Sequence, residues 1–541
     1  MGERNSLILA DYIAIKAEQK PDHPIVTFEG GGVREDEIRT YADLFENSHR
    51  LAATLIDRGM ARGDCFATLI RNHPEFIECL IGASVSGCVA VPIDPRTRGH
   101  KLAFTLNHSQ SRGIVCALYS LPQVLEVLPD VPLLEWVLVL EDREDAGSIG
   151  VADCPNAESY RSVYERPVQV VESRLNSSED PLQIIYTSGT TGDPKGVVFP
   201  NVRFGGAMMG GAMFGWTQED RPYTGLSLTH GNAQLLTFAP AIGMDLPVVF
   251  SRKFTKSRLW DITRKYGCTL FNLLGGMATA VYSEPERAND RENPVRMVLS
   301  AGMPQAIWRR FEERFDLRIF EMYGAIEGGM ALNPPGVGPV GSFGKAPPTL
   351  EIRIVDDAGS DCAPGELGEL ISRPRDGSVV RVEYFRNEQA SRDKTAGGWL
   401  RSGDICHRDA DGWLYFDFRK GGGIRHNGDF INPGFVEKVL AEDPQVTDVF
   451  VYGVPAASGA PGERDVVAAV VPLQRETFDS DAVFTRCEAE LEANFVPAYL
   501  QVVDEIPKTA SEKPQERFLL EKFAENAPGV FSKEARLLPS V

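Results

Sequence analysis

Ten consecutive residues, Thr187-Ser188-Gly189-Thr190-Thr191-Gly192-Asp193-Pro194-Lys195-Gly196, carry four hydroxyls, three glycines and one lysine between two apolar runs. Glycines let backbone N–H groups approach an anion closely, hydroxyls add hydrogen bonds, and a lysine supplies a point charge against a polyphosphate. Leu182 to Tyr186 reads as a strand entering the loop, and a flexible linker of this composition has no reason to sit between two strand-like runs. The spacing G-x-x-x-x-G-K-[ST] is absent, and Val197-Val198-Phe199-Pro200 follows the lysine where a phosphate-binding helix would begin. The loop therefore demands a nucleotide-binding fold other than the P-loop one.

With 541 residues and 43% hydrophobic content, the chain supports several cores, hence a large layered body and at least one further domain. A formal charge of -20 argues against nucleic acid or an anionic membrane as the main partner. Nine cysteines lie scattered from Cys65 to Cys487 without a C-x-x-C pair, as expected of reduced thiols in the cytoplasm. The first residues lack a basic segment followed by an apolar one, and no apolar run approaches the roughly 18 residues of a membrane span. A soluble cytoplasmic protein is expected.

Short apolar runs alternate with helical patterns. Cys65 to Ile70, Val89 to Pro92 and Gly113 to Cys116 read as strands, with Pro74 to Ser86 helical between them. Leu7 to Glu18 reads as a helix, and Thr40 caps another that Gly59 ends. After the loop, Leu246 to Phe250 and Thr269 to Leu274 repeat the strand pattern around a helical Phe254 to Tyr266. The fold class is α/β, with two similar α/β halves. From Gly341 to Phe418 short β-like runs broken by Gly and Pro, including Leu350 to Val355, Gly368 to Ser372 and Gly412 to Phe416, mark a small β-rich subdomain. Beyond Arg419-Lys420-Gly421-Gly422-Gly423 come a helix at Pro433 to Leu440, strands at Val446 to Val454 and Val466 to Pro472, and a helix at Asp481 to Phe495. These form a small α+β domain. The tail from Ala524 reads as polar and loose.

Further motifs follow in a fixed order: Tyr323-Gly324-Ala325-Ile326-Glu327, Gly365-Glu366-Leu367-Gly368-Glu369-Leu370, Trp399-Leu400-Arg401-Ser402-Gly403-Asp404, Arg419 with Gly428 to Ile431, and Pro507-Lys508-Thr509-Ala510 leading to Lys513. With the loop, they resemble the adenylate-forming superfamily of acyl-CoA synthetases, peptide-synthetase adenylation domains and luciferases, over nearly the whole chain. The resemblance implies an N-terminal adenylation body of residues 1–419, its β-rich subdomain at about 341–418, and a mobile C-terminal domain of residues 420–541 that carries the catalytic lysine. It also implies a two-step reaction in which ATP activates a carboxylate as an acyl-adenylate that a thiol then opens, with ATP, Mg²⁺ and coenzyme A as the small molecules.

By the same resemblance, Thr187, Ser188, Gly189, Thr190, Thr191, Gly192 and Lys195 hold the β- and γ-phosphates, and Glu327 binds Mg²⁺. Tyr323 lies against the adenine and Gly324 and Gly302 also bind the nucleotide; Asp404 accepts from the ribose hydroxyls, assisted by Arg419. Lys513 bridges the substrate carboxylate and the α-phosphate, where a flexible cation follows moving charge. Lys420 and Gly421 form the hinge, and His230, Asn232, Gln234, Gly275, Gly276 and Met277 line the acyl pocket. Nucleotidyl transfer is catalysed by positioning and electrostatics, which is why lysines, hydroxyls and a metal carboxylate are the residues to find.

Each residue has a plainer reading when taken alone: Glu327 a surface acid, Asp404 a turn residue after Gly403, Lys513 one of an exposed basic run, Tyr323 a core aromatic. Their common order favours the functional one. The chain also departs from the pattern. Ile326 stands where a Thr is usual, Gly421 where the hinge is usually Asp or Lys, and Glu512 where a Gly usually precedes the lysine.

Thr229 to Gln234 offers no Asp for an amino group, and no carrier domain follows Lys513, so CoA is the expected acceptor. The pocket segments look most like the crotonobetaine/carnitine-CoA ligase branch. An adenylating enzyme with another acceptor, such as a carrier protein, and an inactive nucleotide-binding homologue are the competing readings. Leaving His230, Asn232 and Gln234 unpartnered against a greasy chain would cost roughly 1–3 kcal/mol each, which favours a small or medium acid with a polar or ring substituent. Gly275 and Gly276 leave space opposite in this reading.

Overall fold

The computed structural model describes residues 4–142, 144, 147–187, 194–420, 423–426, 429–431, 433–457, 464–491, 494–509, 514–533 and 536. The chain divides into two compact units, one of Met1–Asn272, Asn293–Met297 and Arg381–Thr395, the other of Leu273–Glu292, Val298–Val380 and Ala396–Val541.

The first unit holds a seven-stranded sheet in the order Ala157–Ser159, Trp136–Leu140, Gly113–Ala117, Cys65–Leu69, Val89–Pro92, Pro181–Thr187, Lys195–Pro200. All neighbours are parallel except the last pair. The strands Cys65–Leu69, Val89–Pro92 and Gly113–Ala117 are buried at every residue, because helices cover both faces and leave no solvent side for polar alternation. The helix Pro74–Ser86 is likewise buried all round; Pro74 opens it without losing a needed N–H, and Gly87 closes it at φ +70°. The helix Tyr41–Asp57 begins on a reciprocal cap, in which Asp43 N–H donates to the Thr40 hydroxyl (3.1 Å) and Thr40 N–H to the Asp43 carboxylate (2.8 Å). Arg381–Thr395 returns to cover the sheet edge, with Val198 N–H donating to Glu383 (2.9 Å) and Phe385 N–H to Gly196 (2.7 Å).

A second set of strands in this unit pairs Pro24–Glu29 in parallel with Val248–Ser251 and antiparallel with Glu37–Thr40, and Pro222–Thr224 in parallel with Val248–Ser251. The buried Asn72 amide ties strand ends together: its Nδ2 donates to the Leu226 and Ser251 carbonyls (2.8 Å each) and its Oδ1 accepts from Leu228 N–H (2.7 Å). That bracing fixes the backbone leading to Thr229 and His230.

In the second unit, Arg318–Ala325 and Gly328–Asn333 form an antiparallel hairpin, and Leu350–Val355, Gly368–Pro374, Leu400–Arg408 and Leu414–Arg419 form an antiparallel four-stranded sheet. Ala331, Phe343, Ile354, Leu370, Cys406 and Leu414 share one core there. Another sheet joins Val446–Pro455, Arg464–Pro472, Tyr499–Val502 and Val530–Ser532. Strand alternation divides its side chains: Val466, Ala468 and Val470 enter one core with Val436 and Phe484, while Val467 and Ala469 enter another with Tyr452 and Leu519.

Two sequence expectations are corrected. The tail is not all loose, since Val530–Ser532 pairs antiparallel with Tyr499–Val502; three residues are too few to show a period, and the sheet supplies the partner the sequence does not. The helix expected over Asp481 to Phe495 is Ser480–Glu490, capped by Asp479, and ends where Leu491 turns extended. All nine cysteines are buried thiols, and among the described residues no helix is long and apolar enough to cross a membrane.

Candidate active site

The strand Met297–Ala301, in the second unit from Val298 on, ends on Gly302 at φ +90°, a conformation only glycine takes without strain. The turn is held by Glu321, a buried carboxylate that accepts from the Gly302 N–H and from the Met303 N–H (3.2 Å). Burial pushes this carboxyl up to about 7, and the two N–H donors pull the other way. Glu321 was not singled out from the sequence; its signal is a lone acid inside the apolar run Ile319-Phe320-Glu321-Met322. A Cβ on Gly275 would lie 2.4 Å from the Gly302 carbonyl oxygen. Gly275 is thus a glycine of close backbone approach, which corrects its reading as open space.

Two residues beyond Glu321, Tyr323 donates its hydroxyl to Asp404 Oδ2 at 2.5 Å, and its ring packs on Phe343 with centroids 4.9 Å apart. Arg419 Nε lies 2.9 Å from Asp404 Oδ1, as their register dictates, since Asp404 and Arg419 are opposed across the strands Leu400–Arg408 and Leu414–Arg419. Three residues picked from separate motifs therefore meet on one carboxylate. Burial, then the neighbouring Asp404 charge, raises the Tyr323 phenol far above its ordinary range, so it stays a donor. The corner before Asp404 is formed by Gly403 at φ +77°, with Asp404 N–H bonded to the Ser402 hydroxyl at 2.9 Å.

Ile326 and Glu327 make up the two-residue turn between Arg318–Ala325 and Gly328–Asn333, so the hairpin presents a half-buried carboxylate at its tip and Gly324 just before it. Gly328 at φ +134° and Gly329 at φ +77° supply the conformations this bulged hairpin needs. Among the described residues no group of three or more His, Cys, Asp or Glu could hold a metal ion. One carboxylate at a turn fits Mg²⁺, which keeps most of its waters and takes its remaining ligands from substrate phosphates. Lys420 is placed by its backbone N–H on the Gly403 carbonyl (2.8 Å).

In the first unit, Thr187 and Lys195 are opposed across an antiparallel pair, and the Thr187 hydroxyl lies 3.4 Å from the Lys195 carbonyl. The strands on either side of the motif are therefore antiparallel partners, where a P-loop would join strand to helix. Lys195 is exposed, with its ammonium 5.4 Å from the Tyr384 ring centroid. Ser188, Gly189, Thr190, Thr191, Gly192, Gly421 and Lys513 lie outside the described residues.

His230 precedes a π-helical stretch, Asn232–Phe238, that contains Asn232 and Gln234; such stretches are rare and frequent at functional sites. Gln234 is fully buried; its Nε2 donates to the Leu228 carbonyl (2.6 Å) and its Oε1 accepts from Gln183 (2.8 Å). Asn232 Oδ1 accepts from Asn272 (3.1 Å), whose own oxygen accepts from Thr237 (3.0 Å). These amides have protein partners, so the desolvation case for a polar acid no longer rests on them. In the second unit Met277 is buried on the helix Gly275–Tyr282, which also begins with Gly276.

The model of the family described as AMP-binding enzyme matches residues 13–379, and that of the AMP-binding enzyme C-terminal domain matches residues 436–513. The chain is 30% identical over 501 residues to a medium/long-chain-fatty-acid–CoA ligase, FadD17, of Mycobacterium marinum, covering 90% of this chain and 92% of that one. It is 28% identical over 487 residues to a crotonobetaine/carnitine–CoA ligase of Salmonella paratyphi B, covering 88% and 91%. The crystal structure of the anthranilate CoA ligase AuaEII in complex with anthranoyl-AMP superposes with a TM-score of 0.81 at 21% identity, covering 95% of this chain and 96% of that one.

Proposed function

The chain belongs to the AMP-binding enzyme family, and from that premise we propose how its residues share the work. It is an ATP-dependent carboxylate–CoA ligase: a carboxylate oxygen attacks the α-phosphorus of ATP, pyrophosphate leaves, and the CoA thiol then opens the acyl-adenylate with release of AMP. The observation that carries the assignment of roles is the Asp404 carboxylate, buried and fixed by Tyr323 and Arg419. An ionised carboxylate offers about four acceptor positions; Tyr323 takes one on Oδ2, and the buried Oδ1, ion-paired with Arg419 but accepting no hydrogen bond, leaves room for the ribose hydroxyls. The Tyr323 ring and the Gly302 turn, held by Glu321, then flank the adenine.

Thr187, Ser188, Thr190, Thr191 and Lys195, with the backbone at Gly189 and Gly192, bind the β- and γ-phosphates. Glu327 would hold Mg²⁺, which when bound neutralises charge on the phosphate oxygens. Lys513 steadies charge between acid and α-phosphate during the first step and withdraws for the second, with Lys420 and Gly421 as the hinge between a body of residues 1–419 and a mobile domain of residues 420–541. The two family matches, ending at 379 and beginning at 436, support that division. The residues assigned to the acyl group are His230, Asn232 and Gln234 in the first unit and Gly275, Gly276 and Met277 in the second. With the Asn232 and Gln234 amides engaged by protein partners, they give no preference for a polar acid over an apolar one. A cytoplasmic location suits an enzyme supplied with ATP and CoA.

Asp404→Ala tests the reading. It should lower kcat/KM for ATP about 10- to 100-fold, the worth of hydrogen bonds to a charged group, with KM for CoA nearly unchanged. An unchanged kcat/KM for ATP would remove Asp404 from the site.

A further inference from the structure

The motif Gly365-Glu366-Leu367-Gly368-Glu369-Leu370 has no part in the chemistry described above, yet it delivers a buried acid to the back of Asp404. Glu369 is 7% exposed on the strand Gly368–Pro374. Its Oε1 accepts from Gly403 N–H at 3.2 Å, and its Oε2 accepts from Arg401 Nη1 at 2.9 Å and Lys420 Nζ at 3.3 Å. Lys420 Nζ also lies 3.7 Å from Asp357.

Gly403 immediately precedes Asp404, and Lys420 immediately follows Arg419. One carboxylate thus holds the chain neighbour of each member of the Asp404–Arg419 pair, and the Lys420 N–H to Gly403 carbonyl bond (2.8 Å) closes the frame. A Gly at φ +77° has wide freedom unless something fixes it, and the bond from its N–H to Glu369 does so. The ladder alone does not hold this corner, because the strand pairing slips between Glu369 and Ile371. A buried acid that accepts from two cations and an N–H ties together the segments that carry them.

We propose that Glu369 is a positioning residue for the reaction: it fixes the Gly403 corner and the strand end at Arg419 so that the Asp404 carboxylate stands in register for the ribose hydroxyls of ATP. The inference rests on the reading of Asp404 as the ribose acceptor. It assigns Glu369 no contact with substrate.

The test compares ATP with 2′,3′-dideoxy-ATP, which lacks the two hydroxyls, in the full-length enzyme and its variants Glu369→Ala, Glu369→Gln and Asp404→Ala. The wild type should prefer ATP in kcat/KM, and Asp404→Ala should abolish the preference. Glu369→Ala should cut it at least about fivefold, with KM for acid and CoA within about twofold of wild type. Glu369→Gln, which keeps an oxygen for the Gly403 N–H, should retain more of it than the alanine variant, and carries the test if the alanine variant does not fold. Loss of preference in Asp404→Ala but full retention in both Glu369 variants overturns the inference and leaves the ribose reading standing. Retention in Asp404→Ala overturns both. Equal losses with the two nucleotides in the Glu369 variants mean a general structural role and also overturn it.

Discussion

Asp404 and Lys195, assigned to opposite ends of ATP, are built differently. The carboxylate is buried and clamped by a phenol at 2.5 Å and a guanidinium at 2.9 Å, whereas the lysine is exposed above the Tyr384 ring. Recognition of a neutral sugar needs acceptors aimed in advance, since a misplaced hydrogen bond is worth little. Countering a polyphosphate needs charge that can follow its target, and a lysine stem allows that. A buried carboxylate therefore suits the selective contact, and an exposed lysine the charge-compensating one.

The largest expected effect falls on a lysine. Lys513→Ala should slow adenylation by a hundredfold or more, as losing a transition-state contact does, while thioester formation from preformed acyl-adenylate is spared. Single-turnover rates of the two half-reactions check this, and equal losses would make the lysine structural.

The buried carboxylates are tested next through Glu321. Burial pushes its carboxyl up to about 7 from an ordinary 4.5, so folding favours its protonated form. This group's contribution to stability is fully present below 4.5 and is lost as pH rises through 7. Glu321→Gln should remove up to about 3 kcal/mol of that pH dependence, seen as a smaller change in urea midpoint between the two pH values than in wild type. An unchanged pH slope would show that the carboxyl is not held as described.

Gly275→Ala places a methyl carbon 2.4 Å from the Gly302 carbonyl and must move backbone. A loss of about 1–3 kcal/mol is expected, with a raised KM for ATP because Gly302 shifts. Wild-type stability in this variant would mean the contact is slack. The smallest effect sharpens the contrast: raising ionic strength should increase KM for ATP in the wild type by about threefold and hardly at all in Lys195→Met, since exposed charges are screened. Equal salt dependence in both would take the phosphate role from Lys195.

Local chemistry was legible in the sequence. Pro74 to Ser86, Val89 to Pro92 and Leu350 to Val355 are the observed elements to the residue, and the Thr40 cap stands as read, because Pro at a helix start, a capping hydroxyl and apolar runs act over a few residues. What bound the site together was not. Tyr323 and Asp404 are 81 residues apart, and nothing near either marks the other as its partner. Glu321 lies in no motif, and Glu369 lies in one that gives it no role, until the fold buries both against N–H groups. Asn232 and Gln234 looked like open polar groups because their partners, Asn272 and Gln183, come from distant strands.

The central claim is that one acid, one ATP and one CoA become one acyl-CoA, AMP and pyrophosphate. Mass spectrometry of the purified enzyme with ATP, Mg²⁺, CoA and a panel of acids from acetate through benzoate to palmitate measures it directly. For at least one acid, the account predicts acyl-CoA and AMP in equal amounts, and acyl-adenylate when CoA is omitted. AMP without acyl-CoA for every acid in the presence of CoA, or no AMP at all, would contradict it.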